Sequence, residues 1–148
     1  MKFGTITPER LPRGFRYPVN FEKFCTATPA ADIKPWFILD SREDADIWLD
    51  IVQEWYPERC LIPFAQHIVT GDDIACFDGN DRTGNPEVHL VHSFASAGWE
   101  DRGSVSNFEA WLALMEEDRE EYLQQRAEDA AYEAERAAAE NGKKKEEL

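Results

Sequence analysis

The sequence predicts an α+β domain followed by a long helical extension, and three observations predict it. Short apolar runs bounded by turn residues fill the middle of the chain, from Leu61-Ile62-Pro63-Phe64-Ala65 through Ile74-Ala75-Cys76-Phe77. Helical periodicity lies on either side of them, over Ala45 to Trp55 and again from Phe108 onward. Past Leu123, Tyr132 is the one bulky apolar residue before Leu148, while Ala, Glu, Arg and Gln favour helix. Residues 1–123 are therefore read as the globular domain. Residues 124–148 are read as a charged, Ala/Glu-rich helical extension that frays over 124–140 and is disordered from Asn141.

Each element follows in order. Pro8, Pro12, Pro18, Gly4 and Gly14 leave no room for a long element before residue 20, and Phe15 and Tyr17 are expected to anchor this arm on the core. Asn20 is expected to cap a short helix through Phe21, Phe24 and Cys25 that stops at 26–29. Trp36-Phe37-Ile38-Leu39 reads as a strand that begins just after Pro35. Ser41 to Asp44 is a capping-box variant, with Ser41 accepting from the backbone. Behind it Ala45, Trp48, Val52 and Trp55 recur at helical spacing and are assigned to the core, flanked by Leu49 and Ile51, until Pro57 ends the helix.

The strands should form a meander. Gly71 and Asp78-Gly79-Asn80-Asp81 supply turns, and Pro63 and Pro86 belong at a strand start, edge or bulge because proline lacks the N–H of a central ladder. Phe108, Trp111, Leu112, Met115 and Tyr122 form the stripe of the last helix, capped by Ser106 or Asn107. No a/d heptad runs through it, so a coiled-coil dimer has no support.

Charge narrows the function. Sixteen Lys and Arg face thirty Asp and Glu, a net charge of −14. Neutralising phosphates takes clustered basic side chains, so neither nucleic acid nor an anionic membrane surface is an expected partner. A basic protein is, because an acidic surface accelerates its encounter. No run of eighteen apolar residues and no apolar leader near Met1 occur, so the expected location is the cytoplasm. Cys25, Cys60 and Cys76 lack CxxC spacing and read as reduced thiols.

A catalytic constellation would draw on Asp72, Asp73, Asp78, Asp81, His67, His89 and His92, since carboxylates and imidazoles together can hold a metal and activate water. Their spacing does not suit it. Asp78-Gly79-Asn80-Asp81 lacks the order of a calcium loop. His89 and His92, three apart on a strand, face opposite sides of the sheet. No catalytic residue, metal ligand or cofactor is expected, and the aspartates read as turn residues bonding nearby amides. His67 and His92 read as packed histidines with one nitrogen on backbone.

The order Leu61-Ile62-Pro63-Phe64-Ala65, Gly71-Asp72-Asp73-Ile74-Ala75-Cys76-Phe77-Asp78, Pro86-Glu87-Val88-His89-Leu90-Val91-His92, then Ser106-Asn107-Phe108-Glu109-Ala110-Trp111-Leu112 resembles the SUKH superfamily, which includes bacterial immunity proteins and Smi/Knr-type fungal regulators. The resemblance implies a twisted, mainly antiparallel sheet with helices packed on it. It also implies an immunity-type binding protein that neutralises a basic toxin, many such toxins being nucleases. A regulatory interaction module of the same superfamily is the alternative, and a metal-dependent hydrolase a third reading. The chain departs from the family at its start, where the leading helix and an Asn-Gly-Gly turn are not found. Partner-facing residues are expected on rigid polar turns: Asp72, Asp73, Asp78 and Asp81, with Glu100 and Asp101 in a loop before the last helix. Trp99, between Gly98 and Gly103, is either tucked into the core or a binding anchor.

Overall fold

Ile74, Ala75, Cys76 and Phe77 are consecutive and have no exposed surface, so the strand that carries them is covered on both faces. That strand is the centre of a five-stranded antiparallel sheet in a computed structural model that describes residues 3–29, 31–94 and 101–146, with side chains to residue 142. The strands are β1 (Trp36–Ile38), β2 (Leu61–His67), β3 (Asp73–Asp78), β4 (Val88–His92) and β5 (Asp101–Val105), lying side by side in chain order. Three α-helices accompany them: α1 (Val19–Thr26), α2 (Arg42–Trp55) and α3 (Phe108–Glu146). The architecture is α+β, a meander sheet with helices packed on it and a long C-terminal helix.

One face is an aromatic cluster. Phe64 and Phe77 stack with ring centroids 4.1 Å apart, and the edge of Phe21 meets each, at 5.5 Å and 5.2 Å. Trp111 closes on Phe64 at 5.0 Å, and Trp36 meets Trp111 edge-on at 5.9 Å. Such pairs contribute about 0.5–1.5 kcal/mol each beyond their burial, so this cluster dominates the cohesion between α1, α3 and the sheet. Phe15 and Tyr17 fasten the N-terminal arm to it, each within ring contact of Phe77. The Tyr17 hydroxyl accepts the Ile6 N–H at 2.9 Å, and burial pushes its pKa upward.

Pro63 sits where the pairing of β2 with β3 slips between Pro63 and Ala65, a bulge whose extra residue is Phe64. The bulge places Phe64 on the Phe77 side, and its carbonyl accepts the Leu39 N–H at 2.9 Å just past the end of β1. Pro86 is buried two residues ahead of β4. Ser41 caps α2, its Oγ accepting from the Asp44 N–H at 3.0 Å, and Asn107 caps α3, its Oδ1 accepting from the Ala110 N–H at 2.9 Å.

Four expectations are corrected. In α2 the buried stripe is Ala45, Leu49 and Val52; Trp48 is half-buried and packs against the core, while Trp55 is 43 % exposed. Six of the nine residues from Ile47 to Trp55 are apolar, so periodicity admits two stripes, and the one that meets β2 is the smaller-volume row. α1 starts at Val19 with Pro18 as its N-cap, leaving Asn20 inside the first turn. Proline's fixed φ already sets the extended entry, and the Pro18 carbonyl accepts the Glu22 N–H at 3.2 Å. α3 runs unbroken through Asn141 and Gly142 to Glu146. A single glycine costs only about 1 kcal/mol in a helix interior. Asp101, expected in a loop, opens β5, an exposed edge strand whose Asp-Arg-Gly-Ser-Val carries no alternation to announce it.

Candidate functional site

Antiparallel pairing decides which turns share an end of the sheet. Asp73 begins β3 opposite His92, the last residue of β4, and Val91 faces Asp101 at the start of β5. Asp72, Asp73 and Asp101 therefore gather at one end. Asp78 closes β3 at the other end, beside Asp81, so the structure separates two of the expected acids from the rest. Trp99 and Glu100 lie outside the described residues.

The carboxylates differ in what holds them. Asp78 Oδ1 accepts from the Asn80 N–H at 2.9 Å, Asp81 Oδ1 from the Thr83 N–H at 2.8 Å, and Asp101 Oδ1 from the Gly103 N–H at 2.8 Å. These are turn-stabilising bonds of the kind the sequence suggests. A carboxylate has two oxygens and about four lone-pair sites, so each has acceptor capacity beyond these bonds. Asp72 makes no side-chain hydrogen bond among the described residues, and its carbonyl accepts the Ser93 N–H at 2.8 Å.

Asp73 is built differently. Its Oδ1 lies 2.8 Å from His92 Nδ1 and 3.7 Å from Arg102 Nε, so a strand pair, not a backbone carbonyl, orients the imidazole. His67, two strands away on the same face, follows its sequence reading: Nδ1 accepts the Val69 and Thr70 N–H groups at 3.2 Å and 3.3 Å. Burial pulls its pKa below the ordinary 6.5, with the charges of Asp73 and Asp118 opposing. That agrees with the geometry, because an acceptor nitrogen must be unprotonated. His89 pairs with Cys76 on the opposite face from His92. Among the described residues no group of three or more His, Cys, Asp or Glu could hold a metal ion. Ser93, beside His92, is fully buried, and its hydroxyl has no partner among the described residues.

Sequence reasoning missed the aromatic half of this end. Phe94, two residues past β4, is 50 % exposed with φ 61°, a left-handed backbone uncommon for a bulky residue. Its ring meets Trp55 edge-on at 5.1 Å. The Tyr56 hydroxyl donates to the His92 carbonyl, tying the end of α2 to the end of β4. The signal for Trp55 was its excess: a second apolar stripe on a helix that needs one. Phe94 left no signal, since positive φ is a tertiary outcome.

Arg10 reaches Asp46 at 3.9 Å and also pairs with Asp50, so part of the acidity on α2 is answered internally. The three thiols are free, and burial raises the pKa of Cys25 to about 12, with Glu22 adding to it. Burial raises the pKa of Cys60 and Cys76 as well, which favours the protonated thiol over the nucleophilic thiolate.

No known family matches this chain, and neither does any curated protein or solved structure. No helix among the described residues is long and apolar enough to cross a membrane.

Proposed function

We propose that this chain is an immunity-type binding protein that neutralises a basic toxin domain by direct association in the cytoplasm. The observation that carries the reading is the end of the sheet where Asp72, Asp73 and Asp101 stand beside the exposed Trp55–Phe94 pair, on a protein of net charge −14. Carboxylates gathered at one end of a rigid sheet steer a cationic partner, and aromatic anchors retain it once docked. The ordered segments from Leu61 to Leu112 that resemble the SUKH superfamily agree with this reading. Asp78 and Asp81, at the other end, contribute to the long-range field and not to the contact.

The test is co-expression with the product of the neighbouring gene, scored by survival and by co-purification. Protection and a stoichiometric complex are expected, with an association rate that falls steeply as salt rises. Unchanged toxicity with no complex would overturn the reading.

A further inference from the structure

Part of the outer surface of α2 is apolar where a solvent-facing helix needs no apolar residues. At about 100° per residue, Ala45, Leu49 and Val52 span an arc of about 60° that faces the sheet. Ile47, Ile51 and Trp55 fall on a second arc of about 80°, turned away from it, and half-buried Trp48 at the border of that arc packs against the core. Beyond them lies a third stripe, Glu43, Asp46, Asp50 and Glu54, entirely carboxylate. Ile47 is 48 % exposed and Trp55 43 %. Phe94 extends the apolar arc past the helix end, and Tyr56 fixes the two together through His92. Single exposed apolar residues are ordinary, but a contiguous stripe of two isoleucines, a tryptophan and a phenylalanine held in a left-handed conformation is not.

We propose that this stripe is the anchor surface for a basic protein partner, one that presents arginine or lysine around an apolar patch. The proposal rests on the binding reading above and assigns it a surface. Charge selects the occupant. Apolar residues flanked on one side by four acids, two of them shared with Arg10, complement a cationic rim around an apolar centre. A second copy of this chain would bring the same carboxylates face to face, at a net charge of −14 each. Nucleic acid and anionic lipid are repelled for the same reason. Trp55 supplies a ring face for arginine, a cation–π contact that strengthens as water is excluded.

The experiment uses the full chain and two probes, the neighbouring gene's product and an arginine–leucine amphipathic peptide. Variants are Trp55→Ser, Ile51→Ser and the pair Glu43→Lys with Glu54→Lys, each checked for an unchanged melting temperature. Glu133→Lys, on the exposed part of α3, is the charge control. Trp55→Ser should raise the dissociation rate about tenfold or more, as expected for a central aromatic anchor. The lysine pair should slow association, and the control should do neither. In amide spectra the peptide should shift residues 47, 51, 55 and 94.

Failure separates cleanly. If the neighbouring product binds wild type and all variants alike, the α2 surface is excluded while the binding function stands. If no complex forms at all, the function reading falls, and the peptide decides the surface: shifts at α2 uphold it, and their absence overturns it. Concentration-dependent dimerisation lost in Trp55→Ser would also overturn it, in favour of a second copy.

Discussion

Asp73 and His92 face each other across the β3–β4 ladder, with Oδ1 and Nδ1 2.8 Å apart at a half-buried end of the sheet. The pair joins the strand that opens at the acidic end to the strand that leads to Phe94. Neutral His92 can donate its Nδ1–H to the carboxylate, so the bond does not require a charged imidazole. A double-mutant cycle with Asp73→Asn and His92→Ala, read by denaturant unfolding, should give a coupling of about 1 kcal/mol. A coupling indistinguishable from zero would show that the pair does not hold this end together.

Trp111 has no exposed surface and touches Phe64, Phe108 and Trp36. Trp111→Ala should cost about 3–5 kcal/mol, a large part of a domain's stability. Its indole N–H is buried without a partner among the described residues. Trp111→Phe removes that orphaned donor along with part of the ring, so its loss should be clearly smaller. Equal losses in the two variants would mean that the ring kept by phenylalanine restores none of the packing around Trp111.

Acid should weaken the fold through His67 first. Its pKa is depressed in the folded state, so the unfolded chain takes up a proton more readily as pH falls below the ordinary 6.5. Stability from this group is complete above that value and is lost progressively beneath it. Protonation also ends the acceptor role toward Val69 and Thr70. Unfolding midpoints should drop between pH 7.5 and 5.5, and drop less in His67→Gln, which keeps an acceptor without titrating. At lower pH Asp46 adds to the loss. Burial alone would raise its pKa, but hydrogen bonds from Thr7 with Arg10 and Arg42 nearby outweigh burial and hold it below the ordinary 3.8. A parallel pH profile in wild type and His67→Gln would remove His67 from this account.

Gly4 donates its N–H to the Leu39 carbonyl at 2.5 Å, and a Cβ there would fall on the Ser41 carbonyl. Its role is close approach of two backbones, not conformational freedom. Gly4→Ala should detach the N-terminal arm and cost about 1–3 kcal/mol, as overpacking does. A thermal melt that matches wild type would show the arm to be a passenger.

Residues 124–142 of α3 are exposed throughout. Deletion after Leu123 should leave the unfolding midpoint within about 0.5 kcal/mol of wild type and leave partner binding intact. Binding lost with unchanged stability would point instead to recruitment through the extension.

The sequence by itself determined the class of the fold and most of its elements. Local rules suffice for these: Ser41 and Asn107 cap helices with their own side chains, Pro63 marks a bulge because it lacks an N–H, and Asp78 and Asp81 bond amides two residues on. What depends on which element meets which was decided only by the tertiary structure. α2 carries two apolar stripes, and contact with β2 buried Ala45, Leu49 and Val52, left Trp48 half-buried against the core and left Trp55 outside it. β5 has no apolar alternation and exists through backbone pairing with β4. Antiparallel register divided the predicted aspartates between two ends of the sheet and set Asp73 against His92. Spacing along a chain reports neighbours within an element, whereas a site assembled from strand ends and a helix terminus depends on packing between elements, and packing set that pattern here.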